Sequence, residues 1–299
     1  MSALQGPVPV QPQGLSKAKV LVCEANGMIR QAIRIGLNTL GIRDIVEAHG
    51  FVSAHKALEQ GGFDAVVMNA ELEGHDTFFL LREIRLGRLG PDPFIVSMLL
   101  LAAPDPARLA KAVDSGTDDL LLIPFSPDQF SSRLNAFRAR RKPFVVTHDY
   151  LGPDRRKGPR PGESSAPIIN TPNPLAARAV GIPPERYDKL RQQASRAIGT
   201  ERIKRLAAAT EWECRSMLNA AAAGRPHRDL TITGMFKLET LLTELAERAA
   251  ELLQHDGSHL REMMDRISDA KNRIGELKLA DFDSLHAAAQ RITVTYTGG

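Results

Sequence analysis

The sequence predicts two folds in one chain: a doubly wound α/β domain around a five-stranded parallel sheet, followed by an all-α helical bundle. Three observations carry this. Between Lys19 and Arg141, short apolar runs alternate five times with helix-period patterns bounded by caps and glycines. A stretch rich in Pro and Arg interrupts that rhythm at residues 142–182. From Pro183 onward no strand signal returns, and apolar residues recur at three- and four-residue spacing as far as Ile292. The boundaries expected are a loose tail over 1–17, an α/β domain over 18–141, a basic linker over 142–182 and a bundle over 183–293.

The elements follow in order. Lys19 to Cys23 (KVLVC) is nearly all apolar, as a strand covered on both faces must be. Asn26 offers an N-cap for a helix carrying Met28, Ile29, Ile33 and Leu37 and ending near Gly41. Asp44 to Glu47 reads as a strand and Val52 to Leu58 as a helix stopped by Gly61 and Gly62. Ala65 to Met68 (AVVM) is the third strand and Phe78 to Leu86 the next helix. VSMLLLA is the most apolar run of the chain. Asp105 and Pro106, an acid at the N-cap and proline at the first helical position, open a helix that stops at Gly116. Asp118 to Ile123 leads into the fifth strand. Ser126-Pro127-Asp128-Gln129 is a capping box with Pro at N1, starting a helix through Phe130, Leu134 and Phe137.

Composition excludes several classes. Of 299 residues, 43% are hydrophobic and 25% charged, ordinary for folded water-soluble material, and the length suffices for two cores. Cys23 and Cys214 are too few and too far apart for a disulfide framework or a zinc site, so a reducing cytoplasm is the expected location. No run has the roughly 18 apolar residues of a membrane span, and the Pro/Gln/Gly-rich start lacks the apolar segment of a signal peptide. A formal charge of +4 is by itself no argument for nucleic acid.

The stretch from Phe63 to Asp76 (FDAVVMNAELEGHD) holds the most informative position. Its buried strand ends at Asn69 and runs into an acidic, Gly-containing loop. In a parallel sheet the carboxyl end of a strand is where ligands and chemistry are placed. Asn69 is an amide there, a poorer nucleophile and a weaker ligand for hard cations than an acid. Asp64 and Asp76 are expected on the flanking loops, solvated or capping.

VLVCEANGMIR from Val20, FDAVVMNAELEGHDTFFLLREIR from Phe63 and, above all, SGTDDLLLIPFSPDQFSSRL from Ser115 resemble the chemotaxis-type receiver domain of bacterial response regulators, over about Ala18 to Arg141. The resemblance implies a flavodoxin-like sheet of order 2-1-3-4-5. It also implies a site at the strand ends: two acids after the first strand, a phosphoacceptor Asp after the third, a hydroxyl after the fourth and a Lys before the Pro of the fifth. Carried over residue by residue, these positions are Cys23, Glu24, Asn69, Leu101 and Ile123. Only Glu24 keeps its chemistry. One carboxylate and an amide do not assemble the charge that strips water from Mg2+, and Leu101 and Ile123 offer a phosphoryl group only apolar side chains. The expectation is a degenerate receiver with no cofactor and no tight Mg2+ binding. It would serve as a protein platform whose partners are signalling proteins of a two-component or related pathway. Its contact surface is expected at the fifth strand and last helix, around Phe125, Phe130 and Arg133. A still phosphorylatable receiver using Glu24 is the rival.

In the linker, Arg155-Arg156-Lys157-Gly158-Pro159-Arg160 has the form RRxxxR. The spacing resembles the arginine motif by which PilZ domains hold cyclic di-GMP, so Arg155, Arg156 and Arg160 are candidates for a nucleotide or an acidic partner; the second PilZ signature and its barrel are absent. The alternative is a solvated basic linker, extended because of Pro153, Pro159, Pro161, Pro167, Pro172 and Pro174. In the last part, Tyr187, Leu190, Ala194 and Ile198 mark one helix and Ile203, Leu206 and Met217 another. Met235 to Leu252 carries the clearest seam, repeated by Leu260 to Leu277 and by Phe282 to Ile292. Short connections favour an intramolecular bundle over a coiled-coil homodimer. His227, His255, His259 and His286 lack the surroundings of a phosphotransfer histidine, and Trp212 reads as half-buried packing or an interface anchor. No helix-turn-helix spacing or single basic face appears, so nucleic acid is not an expected partner. The functional expectation is a non-enzymatic signalling protein.

Overall fold

The computed structural model describes residues 14–103, 105–156, 167–224, 228–253 and 257–298. His227, His255 and Arg160 therefore lie outside the described residues. Contacts divide the chain into two compact units: Met1–Val145 with Tyr150–Ser195, and Val146–Asp149 with Arg196–Gly299.

In the first unit the predicted alternation is present. β1 (Lys19–Cys23), α1 (Gly27–Thr39), β2 (Asp44–Ala48), α2 (Phe51–Gln60) and β3 (Ala65–Asn69) come first. The acidic loop after Asn69 is a small ribbon, β4 (Glu71–Leu72) paired antiparallel with β5 (His75–Asp76), before α3 (Phe78–Arg85). Then follow β6 (Val96–Ala102), α4 (Pro106–Asp114), β7 (Asp119–Ile123) and α5 (Pro127–Ala139). The main sheet has the order β2-β1-β3-β6-β7 with every neighbouring pair parallel, which is 2-1-3-4-5 once the ribbon is set aside. The caps read from the sequence form as written. Asn26 Oδ1 accepts from the Met28 and Ile29 amides, Asp105 accepts from the Arg108 amide, and Ser126 and Gln129 close a reciprocal box.

Two apolar layers sandwich the sheet. One gathers Leu21, Cys23, Met68, Leu99 and Leu101 with α2 and α3; the other gathers Val20, Val22, Val67, Leu100 and Phe130 with α1 and α5. Strand side chains alternate between them, as the pleat requires. α1 and α5 meet at Gly36, where an added Cβ would lie 2.6 Å from Phe130 Cδ1 and 2.9 Å from the Pro127 carbonyl oxygen. Gly36→Ala is accordingly expected to lower stability by about 1–3 kcal/mol through overpacking. Urea unfolding should show this as a lower midpoint at unchanged slope.

Within 142–182, the described residues 142–156 and 167–182 are not the extended linker that the prolines suggested, while Pro159 and Pro161 lie outside the described residues. β8 (Phe144–Val146) joins β9 (Leu151–Pro153) and β10 (Ile168–Ile169) in a three-stranded sheet of order β10-β8-β9, and α6 (Pro174–Val180) follows. Proline is tolerated here because Pro153 ends an outer strand and Pro174 stands at N1 of α6, positions that need no amide donor. Leu175 and Ala179 extend the layer of α1 and α5, and the Asn173 side chain both caps α6 and donates to the Phe137 carbonyl at 2.6 Å. Asp64 is likewise not a solvated loop acid. It is 5% exposed, accepts from the Lys19 amide at 2.9 Å and from Arg178 Nε at 2.9 Å, and so pins α6 beside the start of β3. Burial raises its carboxyl above the usual range, and the Lys19 amide and Arg178 pull it back. Asp76, in contrast, is exposed and accepts from the Phe78 amide at the first residue of α3.

α7 (Pro184–Ala222) is one helix of 39 residues where the sequence suggested two, because Ile198 to Ile203 contains no breaker strong enough to interrupt it; Gly199 alone costs only about 1 kcal/mol. The second unit consists of its C-terminal part with α8 (Arg228–Leu253), α9 (Ser258–Asn272) and α10 (Leu279–Thr297). Their seams form one apolar core through Leu206, Met217, Leu242, Met263, Ile267 and Leu285. The helices therefore pack as an intramolecular bundle. Gly234 lets α8 approach α7, since a Cβ there would meet Met217 Sδ at 2.6 Å. Buried Arg202 pairs with Glu244 and donates to the Thr147 carbonyl at 2.9 Å, and burial opposed by Arg202 and Arg248 leaves the Glu244 carboxyl at about 2. Trp212 is 54% exposed, with the Lys237 ammonium 5.2 Å from the ring centroid. No described helix is long and apolar enough to cross a membrane.

Candidate functional site

The carboxyl ends of β1 and β3 bring Glu24 and Asn69 together. The two strands run parallel with Cys23 opposite Met68, so the next residue of each emerges at the same edge of the sheet. Glu24 is 2% exposed. Its Oε1 accepts from the Asn26 amide at 2.8 Å and its Oε2 from Asn69 Nδ2 at 2.8 Å. Asn69 Oδ1 accepts in turn from the Glu71 amide at 3.1 Å, and the Asn69 carbonyl from the Thr77 hydroxyl at 2.7 Å. Arg30 Nη1 donates to the Glu24 and Ala25 carbonyls at 2.9 and 2.7 Å, not to the carboxylate. The carboxylate and the amide thus satisfy each other and the adjoining backbone within the protein.

The other three positions present no polar chemistry to this edge. Cys23 is fully buried, and burial pushes its thiol well above the ordinary range, so it is neither an acid nor a thiolate nucleophile. Leu101 is 1% exposed in the layer of α2 and α3. Ile123 packs against the opposite layer, and the peptide joining it to Pro124 is cis. Among the described residues no group of three or more His, Cys, Asp or Glu side chains is arranged to hold a metal ion.

The expected contact surface needs one correction. Phe130 is fully buried, because α5 turns it inward against Gly36 of α1, so it is a core residue. Phe125 is partly buried and stacks 6.1 Å from Phe130, whereas Arg133 is exposed and pairs with Asp119 at 2.9 Å. The arginine motif is also engaged. Arg155 Nη2 donates to the Thr117 carbonyl at 2.6 Å, and Arg156 folds onto Asp154 at 2.9 Å. Two of the three candidate forks therefore serve the chain's own oxygens.

Sequence reasoning missed a buried charge cluster beneath the amino ends of β6 and β7. Asp118 sits between Arg85 and Arg141, with side chains 1%, 1% and 3% exposed. Its Oδ2 accepts from Arg85 Nη2 at 2.8 Å, from Arg141 Nη2 at 2.9 Å and from the Ser97 amide at 2.9 Å. Arg85 Nε also donates to the Gly116 carbonyl at 2.8 Å. Both guanidinium groups lie on Phe144, at 5.1 and 4.9 Å from the ring centroid. Burial works against the Asp118 charge, yet Arg141 and Arg85 hold the carboxyl below its usual value, while burial lowers Arg85 to about 10. The visible signal was Arg85 at the end of an otherwise apolar helix face, which reads as a C-terminal dipole partner until the fold closes over it.

No protein-family model matches the chain. It is similar to the response regulator protein PmrA of Pseudomonas aeruginosa, 34% identical over 125 residues, which are 41% of this chain and 53% of that one. It is also similar to the transcriptional regulatory protein ResD of Bacillus subtilis, 26% identical over 125 residues, or 42% and 50% of the two chains. The chain thus spans about half the length of these curated relatives. Among solved structures, the receiver domain of the sensor histidine kinase PA1611 of Pseudomonas aeruginosa aligns at a TM-score of 0.36 and 22% identity, covering 40% of this chain and 95% of that one.

Proposed function

We propose that this chain, whose N-terminal part is a receiver domain of the two-component response-regulator kind, is a non-enzymatic signalling protein whose receiver takes no phosphate. One observation carries the reading: Asn69 Nδ2 donates to Glu24 Oε2 at 2.8 Å. An amide stands at the acceptor position, already bonded to the single carboxylate that a metal ion would need. Phosphoryl transfer requires an acceptor oxygen that carries charge and cations to stabilise the transferring group. Neither is supplied by Cys23, Leu101 or Ile123, and the same deficit argues against tight Mg2+ binding. The domain then acts as a platform for protein contact, and the helical unit as an output or self-association element of the pathway.

Incubating the full chain with acetyl phosphate and Mg2+, followed by intact mass measurement, is expected to show no phosphoryl adduct. An acid-stable or alkali-labile adduct that maps to residues 19–123 would overturn the reading.

A further inference from the structure

At the other edge of the main sheet, by the amino ends of β3 and β6, the first unit holds a cavity of about 180 Å³. Phe63, Pro91, Pro174, Ile182 and Pro184 form its apolar walls, and Arg178 lines it beside Asp64. Arg178 Nε donates to both Asp64 oxygens, at 2.9 and 3.1 Å, and the Arg178 side chain stays 40% exposed. Its two terminal nitrogens have no partner among the described residues. The other charged groups around the cavity are matched. Asp92 accepts from the Tyr187 hydroxyl and the Phe94 amide, both at 2.8 Å, and Arg191 donates to Asp188 and to the Pro91 carbonyl. Arg178 is therefore the donor left open on a cavity whose acids are already bonded.

We infer that this cavity binds a small organic monocarboxylate with an apolar body, the carboxylate on the free fork of Arg178 and the body against the prolines and Phe63. A guanidinium fork matches two coplanar oxygens in parallel hydrogen bonds. Three aspartates line the cavity against two arginines, so the lining is net negative before a ligand enters; a phosphate dianion meets more repulsion there than a monoanion, and a carboxylate is held only by the terminal nitrogens of Arg178. The volume suits a body the size of a benzene ring, which fills an apolar cavity of about 150 Å³ in another protein. Asp64 anchors the Arg178 side chain through Nε, so it is a positioning residue for this contact.

The test uses the full chain with benzoate and with benzamide, its uncharged isostere, followed by ligand-observed NMR and thermal shift. Benzoate is expected to bind saturably, and benzamide at least about tenfold more weakly, because a hydrogen-bonded charge pair is lost. Ala177→Leu, which fills the cavity from α6, is expected to abolish benzoate binding while far-ultraviolet circular dichroism stays unchanged. Equal binding of benzamide, no saturable benzoate binding, or benzoate binding retained by folded Ala177→Leu would each overturn the inference. Should Ala177→Leu not fold, the benzoate and benzamide comparison on the unaltered chain still decides. Inorganic phosphate is the third probe, and displacement of benzoate by it at equal concentration would overturn the choice of a carboxylate.

Discussion

Asp118→Asn is expected to remove a large share of the stability of the first unit, on the order of 3–5 kcal/mol, because it leaves buried guanidinium charge without its counter-charge. Arg85 and Arg141 both converge on this carboxylate, and all three side chains are almost fully buried. The substitution keeps the shape and one acceptor, so the loss measured is that of charge and not of packing. A folded domain has roughly 5–15 kcal/mol in total, and urea unfolding should therefore show a large drop in midpoint. The pH dependence has a fixed sign. Asp118 titrates lower in the folded chain than in the unfolded one, so its stabilisation is complete above about pH 4 and is lost as the pH falls through the folded value. The unaltered chain should lose stability on acidification below that point, and Asp118→Asn should show less of that slope. A variant as stable as the parent at pH 7 would mean that the cluster is not held together by charge.

Asn69→Asp is expected to destabilise the site in the absence of divalent cation. The amide bond to Glu24 is worth about 1.5–3 kcal/mol as a hydrogen bond to a charged group, and its replacement by a second carboxylate adds repulsion to that loss. Mg2+ should restore part of the stability, since two adjacent carboxylates supply the hard oxygen ligands that one cannot. The parent chain should show no such response. Acidification should also relieve the variant, because one of two facing carboxyls binds a proton more readily than an isolated one. Acetyl phosphate should still give little adduct with Asn69→Asp, as Leu101 and Ile123 leave the phosphoryl oxygens without a hydroxyl or an ammonium. Melting curves with and without Mg2+ check the first part; unchanged stability and no Mg2+ response would sink the account of the Glu24 and Asn69 pair as a self-satisfied replacement for a metal site.

Much of the first unit was legible in the residues because its signals are local. The caps at Asn26, Asp105 and Ser126 act within three residues of themselves, and the apolar runs specify strands by their own composition. The residue types at Cys23, Glu24, Asn69, Leu101 and Ile123 were readable for a related reason, since strand ends are sequence positions; that they leave the receiver unable to take phosphate is the proposal that the acetyl phosphate experiment tests. Phe130 was misread as surface because its inward direction depends on Gly36, ninety-odd residues away, leaving room for the ring. The described parts of 142–182 were misread because proline content reports backbone restriction, and restriction suits an outer strand or a helix start as well as an extended linker.

By itself, the sequence determined the alternation of strands and helices, the helical character of the elements described after Pro183, and which residue types, Cys23, Asn69, Leu101 and Ile123, stand at the strand ends. Those are statements about residue type and short spacing, which survive without knowledge of what lies across the fold. Only the tertiary structure decided that Asn69 and Glu24 bond to each other, that Asp118 lies between Arg85 and Arg141, and that Arg178 reaches Asp64 across 114 positions of chain. Buried charge is tolerated only where a partner meets it, and which partner arrives is set by how distant segments pack.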